Sequence, residues 1–186
     1  MRVLITGANG FVGRELVRCL LARSSLRSHV IDAVLVLDKD LQGLPEDPRL
    51  RRHYGSITDV ALMRRVLADG IDVVFHLVSI PGGAAEEQYE LGYQVNLLAS
   101  LELLNQLRNK ALPPVLVYAS SVAVYGGHLP EKMNEQAELR LMARTKPWSR
   151  ARLSTSPGVG KSTAACCVCR ASLPARVNPM ACARHS

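Results

Sequence analysis

Glycines at positions 7, 10 and 13, directly behind the apolar run Arg2-Val3-Leu4-Ile5-Thr6, restrict this chain more than any other feature. A buried strand that feeds such a turn, and then a helix, brings main-chain N–H groups within reach of a phosphate because no Cβ stands in the way. Gly7 and Gly10 supply close approach and tolerance of positive φ. Gly13 falls one turn into a helix predicted over residues 11–22, where the missing side chain lets helix and strand pack closely. Val12, Leu16, Leu20 and Leu21 form the predicted apolar stripe of that helix. The helix N-terminus adds its partial positive charge. The expected phosphate cradle is therefore Gly7, Asn9, Gly10, Phe11, Val12 and Gly13.

A glycine triplet alone also fits a plain turn between strand and helix. The second strand strengthens the cofactor reading, because the apolar run Ala33-Val34-Leu35-Val36-Leu37 ends in Asp38. A carboxylate there can take both ribose hydroxyls of an adenosine and repels a 2′-phosphate, so NAD is expected rather than NADP. Otherwise Asp38 marks a strand-end turn. The spacing from Gly13 is slightly long, and residues 24–32 are expected to form an enlarged loop.

The same alternation continues. Residues 50–54 read as a short strand, and Thr58 or Asp59 can cap a helix over 60–68. Residues 72–77 read as a fully buried strand and 84–108 as one long helix. Pro113-Pro114 stops what precedes a strand over 115–119. Five strands separated by helices or crossovers imply an α/β fold with a Rossmann-type, doubly wound parallel sheet, its ligand at the carboxyl ends of the strands. Ser56-Ile57, Leu77-Val78 and Ser120-Ser121 stand at those ends. His76, inside a buried strand, reads as a satisfied core residue rather than a base. Asn96 fits a structural hydrogen bond from the helix as well as a cofactor contact.

Together, Thr6-Gly7-Ala8-Asn9-Gly10-Phe11-Val12-Gly13, Asp72-Val73-Val74-Phe75-His76-Leu77, Val95-Asn96 and the run from Ala119 to Gly126 resemble the extended short-chain dehydrogenases/reductases of the NAD-dependent epimerase/dehydratase group. Within that group, residues 76–96 and 120–130 are most similar to D-erythronate dehydrogenase-like enzymes. The resemblance covers about residues 1–138. It implies NAD as cofactor, hydride transfer with a small sugar-acid substrate, or alternatively a nucleotide-sugar epimerase or dehydratase. It also implies a homodimer paired through helices that include the equivalent of 84–108. In such enzymes a serine orients the substrate oxygen, a tyrosine removes the hydroxyl proton, and a lysine four residues later lowers the tyrosine pKa. Ser121 matches the serine. No tyrosine of this chain has a lysine four residues later.

Composition explains where that pair should have been. Residues 139–186 hold nine of the 23 Lys and Arg residues and none of the 16 acids, so the net charge of +7 belongs to the tail. Four of the five cysteines lie there as well. One permitted set of codons for residues 141–149, read from its third nucleotide, encodes tyrosine, glycine, threonine, asparagine, lysine. The same frame across 174–180 permits an arginine-proline-glycine segment like that of the resembled enzymes. Residues 1–138 are thus expected to be a partial, C-terminally incomplete NAD-binding domain, and 139–186 a poorly ordered tail, out of frame from about 136–141. The tail carries no P-loop, since Thr155 stands where the first glycine is required. Its cysteines lack paired zinc spacing, and no metal is expected. The basic residues have no recognition fold or aromatic platform for specific nucleic-acid binding. No 18-residue apolar stretch predicts a membrane span, and the absence of a signal-peptide pattern gives a cytoplasmic expectation.

Overall fold

The computed structural model describes residues 1–120 and 168–171. Strand β1 (Arg2–Thr6) runs through the glycine turn into helix α1 (Phe11–Arg23). Short strands β2 (Ser25–Leu26) and β3 (His29–Val30) precede β4 (Ala33–Asp38) and β5 (Leu50–Tyr54). Then come α2 (Val60–Ala68), β6 (Val73–His76), α3 (Gly82–Glu87), α4 (Tyr89–Gly92), a π-helical turn (Tyr93–Leu98), α5 (Ala99–Arg108) and β7 (Val115–Ala119). Strand β8 (Val168–Ala171) lies within the acid-free tail.

The main sheet has the order β5-β4-β1-β6-β7-β8. Its first five strands pair in parallel, and β8 pairs antiparallel with β7. From β1 the chain steps outward to β4 and β5, then crosses back to β6 on the other side. The strand order therefore reverses between β1 and β6, where an open parallel sheet leaves a crevice at its carboxyl edge. Alternation along the strands builds two cores. Leu4, Leu35, Leu37 and Val74 face Met63, Val66 and Leu67 of α2 and Leu103 and Leu107 of α5. Val3, Ile5, Val34 and Val36 face Val17, Leu20 and Leu21 of α1. A sheet buried on both faces explains the unbroken apolar runs at 3–5 and 33–37.

Three local expectations are corrected. Residues 24–32 hold the β2–β3 hairpin, turned through Arg27 and Ser28, whose φ angles of 47° and 68° are both positive. Hairpin twist favours such a turn, although it usually recruits Asn and Gly. The long helix over 84–108 is interrupted at Gln88, with φ −118° and ψ 66°. It widens to a π turn after Gly92, which packs so closely on Ala85 that an added Cβ would lie 2.7 Å from the alanine methyl. Finally, Val12 is 52% exposed, and the buried stripe of α1 is Gly13, Val17, Leu20 and Leu21. Asp59 rather than Thr58 caps α2, accepting from the Leu62 amide at 3.0 Å.

Strand β5 carries a titratable group with a buried ring nitrogen. His53 Nε2 is buried without a hydrogen-bond partner among the described residues. Burial holds its imidazole below the ordinary value of 6.5, with Asp69 opposing that shift and Arg51 and Arg65 reinforcing it. The unfolded chain therefore binds this proton first as pH falls, so the contribution of His53 to stability is level above about 6.5 and falls on acidification below it. Urea unfolding midpoints at about pH 5.5 and about pH 7.5 should differ in that direction, and His53→Leu should reduce the difference.

Candidate cofactor site

The glycine turn stands at the reversal of strand order. Gly7 adopts φ 75°, and its amide donates to the Leu37 carbonyl at 2.9 Å. A Cβ on Gly7 would lie 2.9 Å from Val78 N and 3.0 Å from Leu77 C, so the turn touches the chain leaving β6. At Gly13 an added Cβ would sit 2.2 Å from the Gly7 carbonyl oxygen and 2.8 Å from Ala8 backbone. Gly10 departs from expectation: with φ −67° and ψ 169° it is extended and needs no left-handed conformation. The reversal occurs at Gly7, and Gly10 serves as the N-cap of α1. Its missing side chain would meet only the Gly7 carbonyl, at 3.3 Å, among the described residues. The outer side of the turn is thereby left clear.

Helix α1 begins with no side-chain cap and no acid in its first turn. Its leading amides are unmet by the helix itself, which suits an anion. Phe11, 97% exposed, and Val12 flank them on the outer surface. The turn is locked from two sides. Arg14 Nε donates to the Asn9 carbonyl at 3.0 Å and to Asn9 Oδ1 at 2.8 Å. The Asn9 amide donates to Asp38 Oδ2 at 2.9 Å, and the Lys39 amide to Asp38 Oδ1 at 2.7 Å. Each carboxylate oxygen retains acceptor capacity for a hydroxyl. Asp38 thus joins the glycine turn in one half-buried constellation. Sequence reasoning missed Arg14, because no spacing rule marks a guanidinium that folds back on its own turn.

The remaining strand ends differ in what they offer. Ser56 Oγ lies 2.8 Å from the Thr58 hydroxyl and accepts the Thr58 amide at 3.2 Å, closing a small turn. Ile57 is buried in the core with α2, so its side chain is not at the cleft and only its main chain remains for a ligand. Leu77 and Val78 are half-buried, and the Leu77 amide donates to the Thr6 carbonyl at 3.0 Å. Asn96 takes the structural role: Oδ1 accepts the Ile80 amide at 2.7 Å, and Nδ2 donates to the Ile80 carbonyl at 3.0 Å. It holds the segment after β6 rather than reaching across the cleft. Ser120 follows β7 and is half-buried, while Ser121 lies outside the described residues. His76 is 1% exposed and hydrogen-bonded through both ring nitrogens. Among the described residues no helix is long and apolar enough to cross a membrane.

A parallel sheet with a glycine turn at its reversal point and a carboxylate closing the neighbouring strand defines a dinucleotide-binding Rossmann fold. The residues fit such a group: Gly7 and Gly13 are places a Cβ would fill, Gly10 leaves the turn open, and α1 starts uncapped. The chain belongs to the NAD dependent epimerase/dehydratase family, whose profile matches residues 3–168 and so runs past residue 138. It is similar to the D-erythronate dehydrogenase of Cupriavidus necator, with 40% identity over 144 residues, covering 75% of this chain and 44% of that protein. Among solved structures it is similar to a nucleoside-diphosphate-sugar epimerase from Agrobacterium tumefaciens, at 26% identity and TM-score 0.70, covering 76% of this chain and 43% of the other. A dTDP-glucose 4,6-dehydratase from Streptomyces venezuelae, with NAD and TYD bound, matches at 28% identity and TM-score 0.62 over 76% of this chain and 46% of the other. The chain spans less than half the length of each of these relatives. NAD is the family's cofactor, as expected from the sequence.

Proposed function

We propose that residues 1–138 are the NAD-binding part of an oxidoreductase whose lineage acts on a sugar acid such as D-erythronate. One observation carries the reading: the Asn9 amide on the Asp38 carboxylate couples a ribose-binding group to a glycine turn set against Leu77 and Val78. In this proposal Gly7, Asn9, Gly10, Phe11, Val12 and Gly13 surround the pyrophosphate, and Asp38 takes the adenosine ribose. Ser56 and the main chain of Ile57 border the adenine side, and Leu77, Val78 and Ser120 the nicotinamide side. Asn96 acts from behind, through Ile80. Bound NAD supplies the hydride acceptor, and Ser121 is assigned to orienting the substrate oxygen. The sugar-acid choice over a nucleotide sugar follows the 40% identity to D-erythronate dehydrogenase. A homodimer through the helices of residues 84–108 is proposed as well, on the half-exposed Leu98 and Leu101 beside Val60.

This chain is further proposed to bind cofactor without turning substrate over, because no tyrosine has a lysine four positions on. We assign that loss to a change of reading frame between about residues 136 and 141. Incubation with D-erythronate and NAD, followed by NADH absorbance, is expected to give no turnover with the 186-residue chain. A protein expressed with the frame restored is expected to produce NADH. Turnover by the chain as written overturns the proposed loss, and a frame-restored protein inactive on D-erythronate overturns the substrate.

A further inference from the structure

Four polar side chains lie sealed behind the cleft: Thr6, His76, Asn96 and Ser100 are 0, 1, 3 and 4% exposed. Thr6 and His76 end β1 and β6 and face each other in register, so they flank the reversal point of the sheet. Thr6 Oγ1 is 2.7 Å from His76 Nδ1, and His76 Nε2 is 3.1 Å from Ser100 Oγ. Ser100 Oγ donates to the Asn96 main-chain carbonyl at 3.1 Å. Asn96 in turn grips both main-chain groups of Ile80. The Tyr118 ring packs against the imidazole with centroids 5.2 Å apart.

The direction of this relay follows from its far end. Ser100 has a single hydroxyl proton, and with that proton on the Asn96 carbonyl the Ser100 oxygen accepts from the imidazole. In that arrangement Nε2 carries the ring proton and a neutral ring takes the Thr6 hydroxyl at Nδ1. A buried chain of hydrogen bonds of that kind holds its ends firmly. One end is the residue that launches the glycine turn. The other is the clamp on Ile80, two residues beyond the backbone that stands against Gly7.

We propose that His76 is a positioning residue of the cofactor cleft: with its proton on Nε2, it ties the end of β1 to the Asn96–Ile80 clamp and so fixes the segment after β6 against Gly7. Its consequence for affinity rests on the NAD-binding reading, whereas the relay itself does not. In the full 186-residue chain, long-range 1H–15N spectra should show one histidine ring with a protonated Nε2 and a bare Nδ1, absent from His76→Gln. The opposite tautomer, or an imidazolium at neutral pH, overturns the assignment. Thr6→Val and Ser100→Ala should speed exchange of the Ile80 amide and raise the NAD dissociation constant about tenfold by calorimetry, with Thr6→Ser restoring both. Leu107→Ala, a core truncation on α5, should lower Tm without changing that constant. An unchanged Ile80 exchange rate, or equal loss of NAD affinity in Ser100→Ala and Leu107→Ala, overturns the positioning role. If the unaltered chain gives no heat with NAD, the cofactor reading fails, and the tautomer and exchange results still decide the relay.

Discussion

Gly13→Ala is expected to be the most damaging single-methyl change among the described residues. The new Cβ would lie 2.2 Å from the Gly7 carbonyl oxygen and 2.8 Å from two backbone atoms of Ala8. These are main-chain atoms tied to β4 through the amides of Gly7 and Ala8, so no flexible side chain can give way. Overpacking a tight interior costs about 1–3 kcal/mol, and a clash with backbone belongs at or above the upper end. Against a domain stability on the order of 5–15 kcal/mol, a loss of about 3 kcal/mol or more should appear as a large drop in the urea midpoint. Displacing α1 also moves its leading amides, so NAD binding should disappear with it. The contrast is Gly10→Ala, whose methyl would meet only the Gly7 carbonyl at 3.3 Å and whose backbone is extended. That variant should retain the fold and lose affinity alone. Equal melting curves for the Gly13 variant and the unaltered chain would remove the packing argument.

Asp38→Ala is expected to be the most damaging change to binding that leaves the core intact. The carboxylate is half-buried and ends β4 outside both apolar clusters, so its removal leaves the sheet packing in place. A hydrogen bond to a charged group contributes about 1.5–3 kcal/mol, which corresponds to a rise in the NAD dissociation constant of about tenfold to a hundredfold. The same substitution frees the Asn9 and Lys39 amides that now donate to Asp38 and removes the charge that repels a 2′-phosphate. Preference for NAD over NADP should shrink accordingly, as read by parallel titrations of the two cofactors. An Asp38 variant that binds NAD as tightly as the parent would separate Asp38 from the ribose.

Much of this architecture is legible in the chain because buried parallel strands leave unbroken apolar runs. β4 and β7 end where the apolar pattern and the polar residues behind it place them, and Asp38 sits at the end of β4 for that reason. The illegible features depend on contacts distant in sequence or on conformations with no residue signature. Arg27 and Ser28 turn the hairpin with positive φ and no glycine. The helical spacing of apolar residues, Leu91, Val95, Leu98 and Leu101, begins after Gln88, so nothing in it marks the break between α3 and α4. Ile57 has the right position for a cofactor contact, yet α2 draws its side chain into the core. The partners of Asn96 and His76, Ile80 and the pair Thr6 and Ser100, become visible only when β1, β6 and α5 are brought together. Ser121, read from the resemblance alone, falls outside the described residues.

The central claim is that the glycine turn and Asp38 form a working NAD site in this chain. Calorimetric titration of the purified 186-residue protein with NAD and with NADP tests it most directly. Saturable heat with NAD, and binding of NADP weaker by about tenfold or more, is the expected result. A chain that melts cooperatively and gives no heat with NAD, or that prefers NADP, would contradict the account.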